Sequence, residues 1–480
     1  MSAPRTFLDK VWDEHRIARF DDSAELLAVD RLVLHDMSGS EAMVVLKKSG
    51  HRPMRPDLVF STVDHFIRTD PGRGRDAAKT PEGMKRIEIA RAESRDFGLR
   101  LFDVGDIHQG ITHVVATEFG IALPGTTIVC GDSHTCTLGG IGALAWGIGS
   151  SEGAHVLATQ TILQAKPKSM RIRFDGRLAP GTESKDLILH LIGRLGAQSG
   201  IGYAAEFTGD VIRDMSVESR LTLCNMGVEF SAKYVFVPPD DKTFAYLEGR
   251  EYSPKGAAWD RAVAHWRALA SDEDAVFDRE ERFDCTGLAP QVTWGISPQH
   301  VAGIGDRVPD PADAVDAEAR QSMERALAYI GLAPGTPLAG VPIEAAYIGS
   351  CTNARLSDLR AAAKLLEGRR VADGVQAVCV PGSTSVKRAA EAEGLDRIFI
   401  AAGFEWHESG CGLCGGMGNP RFAGRRVIST TNRNFENRQG RGARTHLASP
   451  LTVAASALSG RIADPRPLHA TQTPRSSTGN

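Results

Sequence analysis

A chain of 480 residues exceeds one ordinary domain, so about two to four domains with substantial cores are expected. Its 42% hydrophobic and 24% charged residues are those of a soluble globular protein, and a formal charge of −3 gives no reason to invoke nucleic acid or an anionic membrane surface. The longest apolar stretches, such as Ile141 to Ile148, are far too short to span a bilayer.

The opening Met1-Ser2-Ala3-Pro4-Arg5-Thr6 runs into Asp9, Lys10, Asp13 and Glu14 with no apolar signal-peptide core, so a cytoplasmic location is expected. Residues 1 to about 30 read as helical, with Leu8, Val11, Trp12 and Ile17 at helix-like spacing. Three short apolar runs follow. Arg31-Leu32-Val33-Leu34 leads to His35-Asp36, Leu58-Val59-Phe60 to Thr62, Asp64 and His65, and Thr126 to Cys130 to Gly131-Asp132-Ser133-His134-Thr135. Strands that deliver His or Asp at their carboxyl ends predict an open α/β sheet with its site at those ends.

Gly139 to Gly149 is rich in small residues and should pack closely on its neighbours, and Ser150-Ser151-Glu152 should cap the next helix. Lys168 to Phe174 alternates basic and apolar residues like an edge strand. A second α/β region then reaches Val292-Thr293-Trp294-Gly295, and the acidic, proline-bearing residues 306–318 have linker composition. In the third region the strand Ala345 to Ile348, the Gly349-Ser350-Cys351-Thr352-Asn353 turn and a helix echo Ile128 to Thr135, suggesting a shared architecture. The expected division is an α/β domain over 1–168, a second over 169–302, a linker at 303–318, a third α/β domain over 319–463, and a disordered Pro/Ser/Thr/Arg-rich tail at 464–480.

The eight cysteines (130, 136, 224, 285, 351, 379, 411 and 414) show no secreted disulfide pattern, so reduced thiols are expected. Cys379, in Ala377-Val378-Cys379-Val380, reads as a buried strand position. Cys411 and Cys414 form a C-x-x-C pair on a glycine-rich loop and Cys351 follows a predicted strand. The pair alone fits a redox dithiol. With Cys351 it fits a zinc site completed by His407 or His134, or a cubane iron–sulfur cluster that leaves one iron without a protein ligand. Carboxylates beside imidazoles, Asp64-His65 and Asp132-Ser133-His134, suit proton transfer, and His113 follows Gly110-Ile111-Thr112. Asn225 and Glu229, four apart, are expected on one helix face as positioning donor and acid/base. The run Asn432 to Arg441 offers the guanidinium forks of Arg433 and Arg438 to carboxylates, and a neutral-to-acidic chain argues against RNA, so a small di- or tricarboxylate is expected.

From about Arg31 to about Arg466 the chain resembles the aconitase superfamily and, within it, the large subunits of 3-isopropylmalate dehydratases. The motifs carrying the resemblance include Val63-Asp64-His65, Gly110-Ile111-Thr112-His113, Val129 to Thr135, Cys224-Asn225-Met226 with Glu229, Ile348 to Asn353, the C-x-x-C, Asn432-Arg433-Asn434-Phe435 and Arg444-Thr445-His446-Leu447. The resemblance implies a three-domain α/β core of open sheets around a 4Fe–4S cluster held by Cys351, Cys411 and Cys414, whose open iron binds the substrate. It implies catalytic roles for Asp64, His65, His113, Asp132, His134 and Glu229, and substrate binding by Ser133, Asn225, Arg433 and Arg438. The fourth (swivel) domain of single-chain aconitases is missing, which implies a separate small subunit as partner in a heterodimer or heterotetramer and no activity alone. The implied reaction interconverts 2- and 3-isopropylmalate by dehydration and rehydration, in leucine biosynthesis. Related dehydratases act on homoaconitate, 2-methylmalate/citraconate or dimethylmalate, and a rival of another class is a zinc-stabilised, non-catalytic binding protein. The chain departs from the family pattern at Gly415, Asn437, Phe66-Ile67-Arg68 and Leu138. Gly415 and Gly416 are expected to leave the cluster less covered.

Overall fold

The computed structural model describes residues 3–21, 24–415 and 421–470. Two five-stranded parallel sheets dominate it. The first contains Arg31–His35, Val59–Thr62, Arg100–Phe102, Thr127–Cys130 and Leu144–Gly147, with spatial order third, second, first, fourth, fifth. The other contains Ala345–Ile348, Gln376–Cys379, Phe404–Trp406, Arg426–Ser429 and Arg444–Leu447 in the same order. The expected shared architecture is thus met strand by strand. Most of these strands are buried on both faces, which is why they read as short unbroken apolar runs. Cys379 is fully buried in its strand.

Between them lies a four-stranded parallel sheet in which Lys168–Asp175 pairs with both Tyr203–Thr208 and Arg279–Asp284. It is an interior strand and not the expected edge. Met170, Ile172 and Phe174 face the core, while the opposite face carries ion pairs such as Arg171–Glu280 (2.8 Å). The alternation therefore reports a half-covered sheet face.

At the amino end, helix Phe7–His15 is capped by Thr6 and Asp9 and buries Phe7, Leu8, Val11 and Trp12. It stops short of the expected span. Arg16–Asp21 instead pairs antiparallel with Ala24–Ala28, leaving Ile17 exposed. Helix Ser150–Thr159 starts as expected, with Glu152 accepting the N–H of its cap, Gly149. Ile304 and Val308, in the expected 303–318 linker, are buried in the core of the last sheet. Arg466–Ala470 is a short helix, and 471–480 lie outside the described residues. No helix among the described residues is long and apolar enough to cross a membrane.

The two five-stranded units are sewn together by backbone hydrogen bonds: Ile111 N–H to Gly382 O (2.8 Å), Thr384 N–H to Gln109 O (2.8 Å) and Cys411 N–H to Asp64 O (3.1 Å). Gly110 lies in this seam, where a Cβ would sit 2.5 Å from Ser383 Cα and 2.7 Å from Gly382 O. The glycine-rich segment after His134 also packs closely: a Cβ at Gly140 would lie 2.7 Å from Leu221 N, and one at Gly139 would overlap the Val235 carbonyl. Gly110→Ala should therefore push the units apart, costing about 1–3 kcal/mol in urea unfolding. An unchanged midpoint would show that the seam tolerates the shift.

Candidate active site

A cavity of about 660 Å³ opens where the carboxyl ends of the two five-stranded sheets meet. In parallel sheets of this order, the crevice lies outside the strand ends where the winding reverses, between first and fourth strands. The first sheet contributes Asp64-His65 after its second strand and Asp132-Ser133-His134 after its fourth. The last sheet contributes Cys351 after its first strand, Cys411 and Cys414 after its third, and Asn432-Arg433 after its fourth.

On the first-sheet side the side chains form one carboxylate–imidazole network. Asp36 accepts the backbone N–H groups of Asp64 (3.2 Å), His65 (2.9 Å) and Phe66 (2.7 Å), fixing that turn. Asp64 Oδ1 lies 2.6 Å from His65 Nδ1 and its Oδ2 accepts from Thr112 N (3.1 Å). The far nitrogen of His65 is 3.3 Å from Asp132 Oδ2. Asp132 also has His113 Nε2 at 3.2 Å, off the hydrogen-bonding direction, and His134 Nδ1 at 3.4 Å. His134 Nε2 reaches Glu229 Oε1 at 2.7 Å, and Arg433 Nε donates to the same oxygen at 2.8 Å. Ser133 is exposed to the cavity.

The charges sustain one another. Burial favours neutral Asp132, yet His113, His134 and His65 outweigh it and hold the carboxyl well below the usual range. Burial also opposes charge on His65, but Asp64 and its other anionic neighbours raise the imidazole well above its ordinary value; Asp64 itself falls to about 2. His35, stacked on His65 with ring centroids 4.3 Å apart, is pushed by burial and by that neighbour's charge down to about 4, so it stays neutral. Burial works against the His134–Glu229 pair as well, but hydrogen bonds to Asp132 and then to Glu229 raise the histidine, and the bond to His134 lowers the acid.

Across the cavity, Cys351 and Cys414 are buried and Cys411 is half-buried. Cys351 Sγ receives amide N–H groups from Asn225 (3.1 Å) and Asn432 (3.3 Å). Cys414 Sγ has Ser350 Oγ at 3.3 Å and Arg438 Nη2 at 3.6 Å. Burial opposes ionisation of Cys414, but Arg438 and the hydroxyl bring it below the ordinary thiol value. Amide and guanidinium N–H groups only donate, so they favour thiolate at Cys351 and Cys414, while burial with Asp132 holds Cys351 up and burial with Asp64 pushes Cys411 up to about 12. Four sulfur ligands around one zinc would stand about 3.8 Å apart at 2.3 Å bonds. The three sulfurs do not all come within 4.8 Å of one another, whereas His35, Asp36, Asp64 and His65 do. Those four are already engaged in the hydrogen bonds above and with Met37 N and Ser38 Oγ. Both expected fourth zinc ligands are engaged with carboxylates: His407 bonds Glu405 (3.1 Å) and His134 bonds Glu229 (2.7 Å). The donor set thus fits a group larger than one ion.

The loop geometry explains the glycines and one strained serine. Ser350 takes φ +84°, Gly412 takes φ +54°, and a Cβ on Gly412 would lie 2.7 Å from Tyr347 Oη. At Gly415 a Cβ would lie 3.7 Å from Arg438 Nη1, in ordinary van der Waals contact with the guanidinium. Gly416 lies outside the described residues.

The structure gathers the expected residues around this one cavity, with one change of placement. Helix Val217–Asn225 ends at Asn225, and Glu229 sits in a separate 3-10 turn, Met226–Phe230, so the two do not share a helix face. Asn225 instead bridges Thr137 Oγ1 (2.7 Å) and Cys351. Three further residues belong to the site. Asp36 follows its strand as Asp64 follows the next, a signal legible in the sequence. Asn432 stands beside Arg433 in the Asn432-Arg433-Asn434-Phe435 motif. Lys79, which donates to Gly412 O (2.9 Å), has no such signal.

A sequence profile described as Aconitase family (aconitate hydratase) matches residues 9–460. The chain belongs to the aconitase family. It is 54% identical over 465 residues to the "3-isopropylmalate dehydratase large subunit 1" of Bradyrhizobium diazoefficiens, covering 97% of each chain. It is 48% identical over 474 residues to the "3-isopropylmalate dehydratase large subunit" of Roseiflexus castenholzii, covering 96% of this chain and 99% of that one.

The His134–Glu229 pair sets a pH signature. The raised imidazole contributes stability that is fully present below its ordinary value of 6.5 and is lost as pH rises through the folded value; the lowered acid contributes stability lost as pH falls through its own. The stability difference between the parent and His134→Asn should be larger at about pH 6 than at about pH 9 in urea titrations. A difference that is flat or grows with pH would contradict the pairing.

Proposed function

We propose that this chain is the large subunit of a 3-isopropylmalate dehydratase, a cytoplasmic hydro-lyase that interconverts 2- and 3-isopropylmalate in leucine biosynthesis. The observation carrying this reading is the meeting, in one cavity, of three thiols, two of them met by N–H donors, with a shared carboxylate–imidazole network and two arginines. Two relatives named as large subunits, similar over nearly the whole chain, support it.

In this reading Cys351, Cys411 and Cys414 hold a 4Fe–4S cluster. When bound, such a cluster supplies a Lewis-acidic iron with no protein ligand. The chain's own residues do the rest. Arg438, whose buried Nε has no partner among the described residues, and Arg433 grip substrate carboxylates. His65, backed by Asp64, and His113 and His134, gathered at Asp132, hold protons near the departing hydroxyl, and Glu229 sets the protonation of His134. Ser133 presents its hydroxyl to the substrate, and Asn225 orients Cys351. The partner is a small subunit carrying the swivel domain, which completes the site.

Anaerobic reconstitution with iron, sulfide and the small subunit tests this. The parent should take up iron and sulfide and turn over 3-isopropylmalate in preference to 2-methylmalate, homoaconitate or dimethylmalate. Cys414→Ser should lose cluster and activity while its far-ultraviolet dichroism is kept. Stoichiometric zinc without iron, or full activity in the variant, would refute the assignment. Arg438→Lys, which loses the planar fork, should raise KM about 30-fold, about 2 kcal/mol of binding, with a smaller effect on kcat. An unchanged KM would remove Arg438 from the clamp.

A further inference from the structure

Behind the cavity, helix Ser184–Leu195 buries a lysine with no ionic partner among the described residues. Lys185 is 0% exposed, and among the described residues no carboxylate oxygen lies within 4.0 Å of its Nζ. Its neighbours turn elsewhere: Glu183 accepts from Leu451 N (2.8 Å) and Asp186 from Gln291 N (2.8 Å) and Glu183 N (2.8 Å). Asp358, also near, is occupied by Asn353 Nδ2 (3.0 Å) and Arg355 N (3.0 Å). The ammonium donates to two successive carbonyls, Thr430 and Thr431, the latter at 2.6 Å.

Those carbonyls belong to the turn between strand Arg426–Ser429 and Asn432-Arg433, the pair that reaches Cys351 Sγ (3.3 Å) and Glu229 (2.8 Å). Two neutral hydrogen bonds do not neutralise a buried charge, whose desolvation is costly. Burial pushes the ammonium down to about 7, and against it act the charges of Cys414, Asp358, Asp186 and Cys351, in that order, so a negative group bound at the thiols is what would keep Lys185 charged. Three thiolates around a 4Fe–4S core of charge 2+ leave one net negative charge, which a nearby fixed cation would balance.

We propose that Lys185 is a positioning residue and the buried counter-charge of the cluster, holding the Thr430–Thr431 turn by two hydrogen bonds and stabilising the thiolate-bound group electrostatically. This rests on the cluster reading above. A fixed positive charge favours the more negative, reduced cluster, so its removal makes reduction harder.

The test uses the full chain reconstituted anaerobically with iron and sulfide, as parent, Lys185→Met and Lys185→Arg, in redox titrations followed by electron paramagnetic resonance. At a fixed potential, the reduced-to-oxidised ratio in Lys185→Met should fall about tenfold, the factor that 59 mV represents for one electron. Lys185→Arg, which keeps the charge, should titrate nearer the parent. If the Met variant does not fold, Lys185→Gln, which keeps a donor without charge, takes its place. A neutral variant that loads and titrates like the parent, or an Arg variant shifted as far as the neutral one, overturns the inference alone. A parent that takes up no iron and sulfide overturns the cluster reading and this inference with it.

Discussion

The cavity exists because two parallel sheets of identical strand order are held with their carboxyl ends together, and a backbone seam does the holding. The bonds Ile111 to Gly382, Thr384 to Gln109 and Cys411 to Asp64 set the separation of loops that carry opposite halves of the site. Hydrogen bonds between main-chain groups leave little freedom, and Gly110 lets the chains approach to a distance that a methyl group would block. The seam places Cys411 Sγ 3.7 Å from Asp64 Oδ2 and 3.9 Å from His65 Nδ1. Thiol chemistry and proton chemistry thus share one boundary.

Within that frame, the buried charges are stable only as a set. Asp132 stays ionised because imidazoles from three different segments converge on it, and His65 stays charged because Asp64 and Asp132 flank it. Glu229 links the network to Arg433, and Arg433 shares its loop with Asn432, the donor to Cys351. Removing one member leaves another buried charge uncompensated, which is costlier than the loss of one contact. Such a site can hold protons in defined places before any substrate arrives.

Much of this was legible in the sequence because its signals are local. The strands ending at His35, Thr62 and Cys130 read as apolar runs followed by His or Asp, and the thiols read from spacing and flanking glycines. What escaped depends on tertiary context. Ile17 continues a helical spacing, but pairing with Ala24–Ala28 captures that segment as a strand. Lys168–Asp175 alternates because one sheet face is half covered, a pattern an edge strand shares. Asn225 and Glu229 are spaced for one helix, yet the helix stops between them. Lys79 and Lys185 are ordinary lysines in sequence, and nothing in their neighbours announces that one meets the cavity loop and the other lies fully buried.

The central claim is that three thiolates hold a four-iron cluster with one iron left for substrate. Mössbauer spectroscopy of the chain reconstituted anaerobically with isotopically enriched iron tests it most directly. Three thiolate-held irons and one open iron should give two populations in a three-to-one ratio, with only the minor one shifting when 3-isopropylmalate and the small subunit are added. A single population, or a spectrum indifferent to substrate, would contradict it.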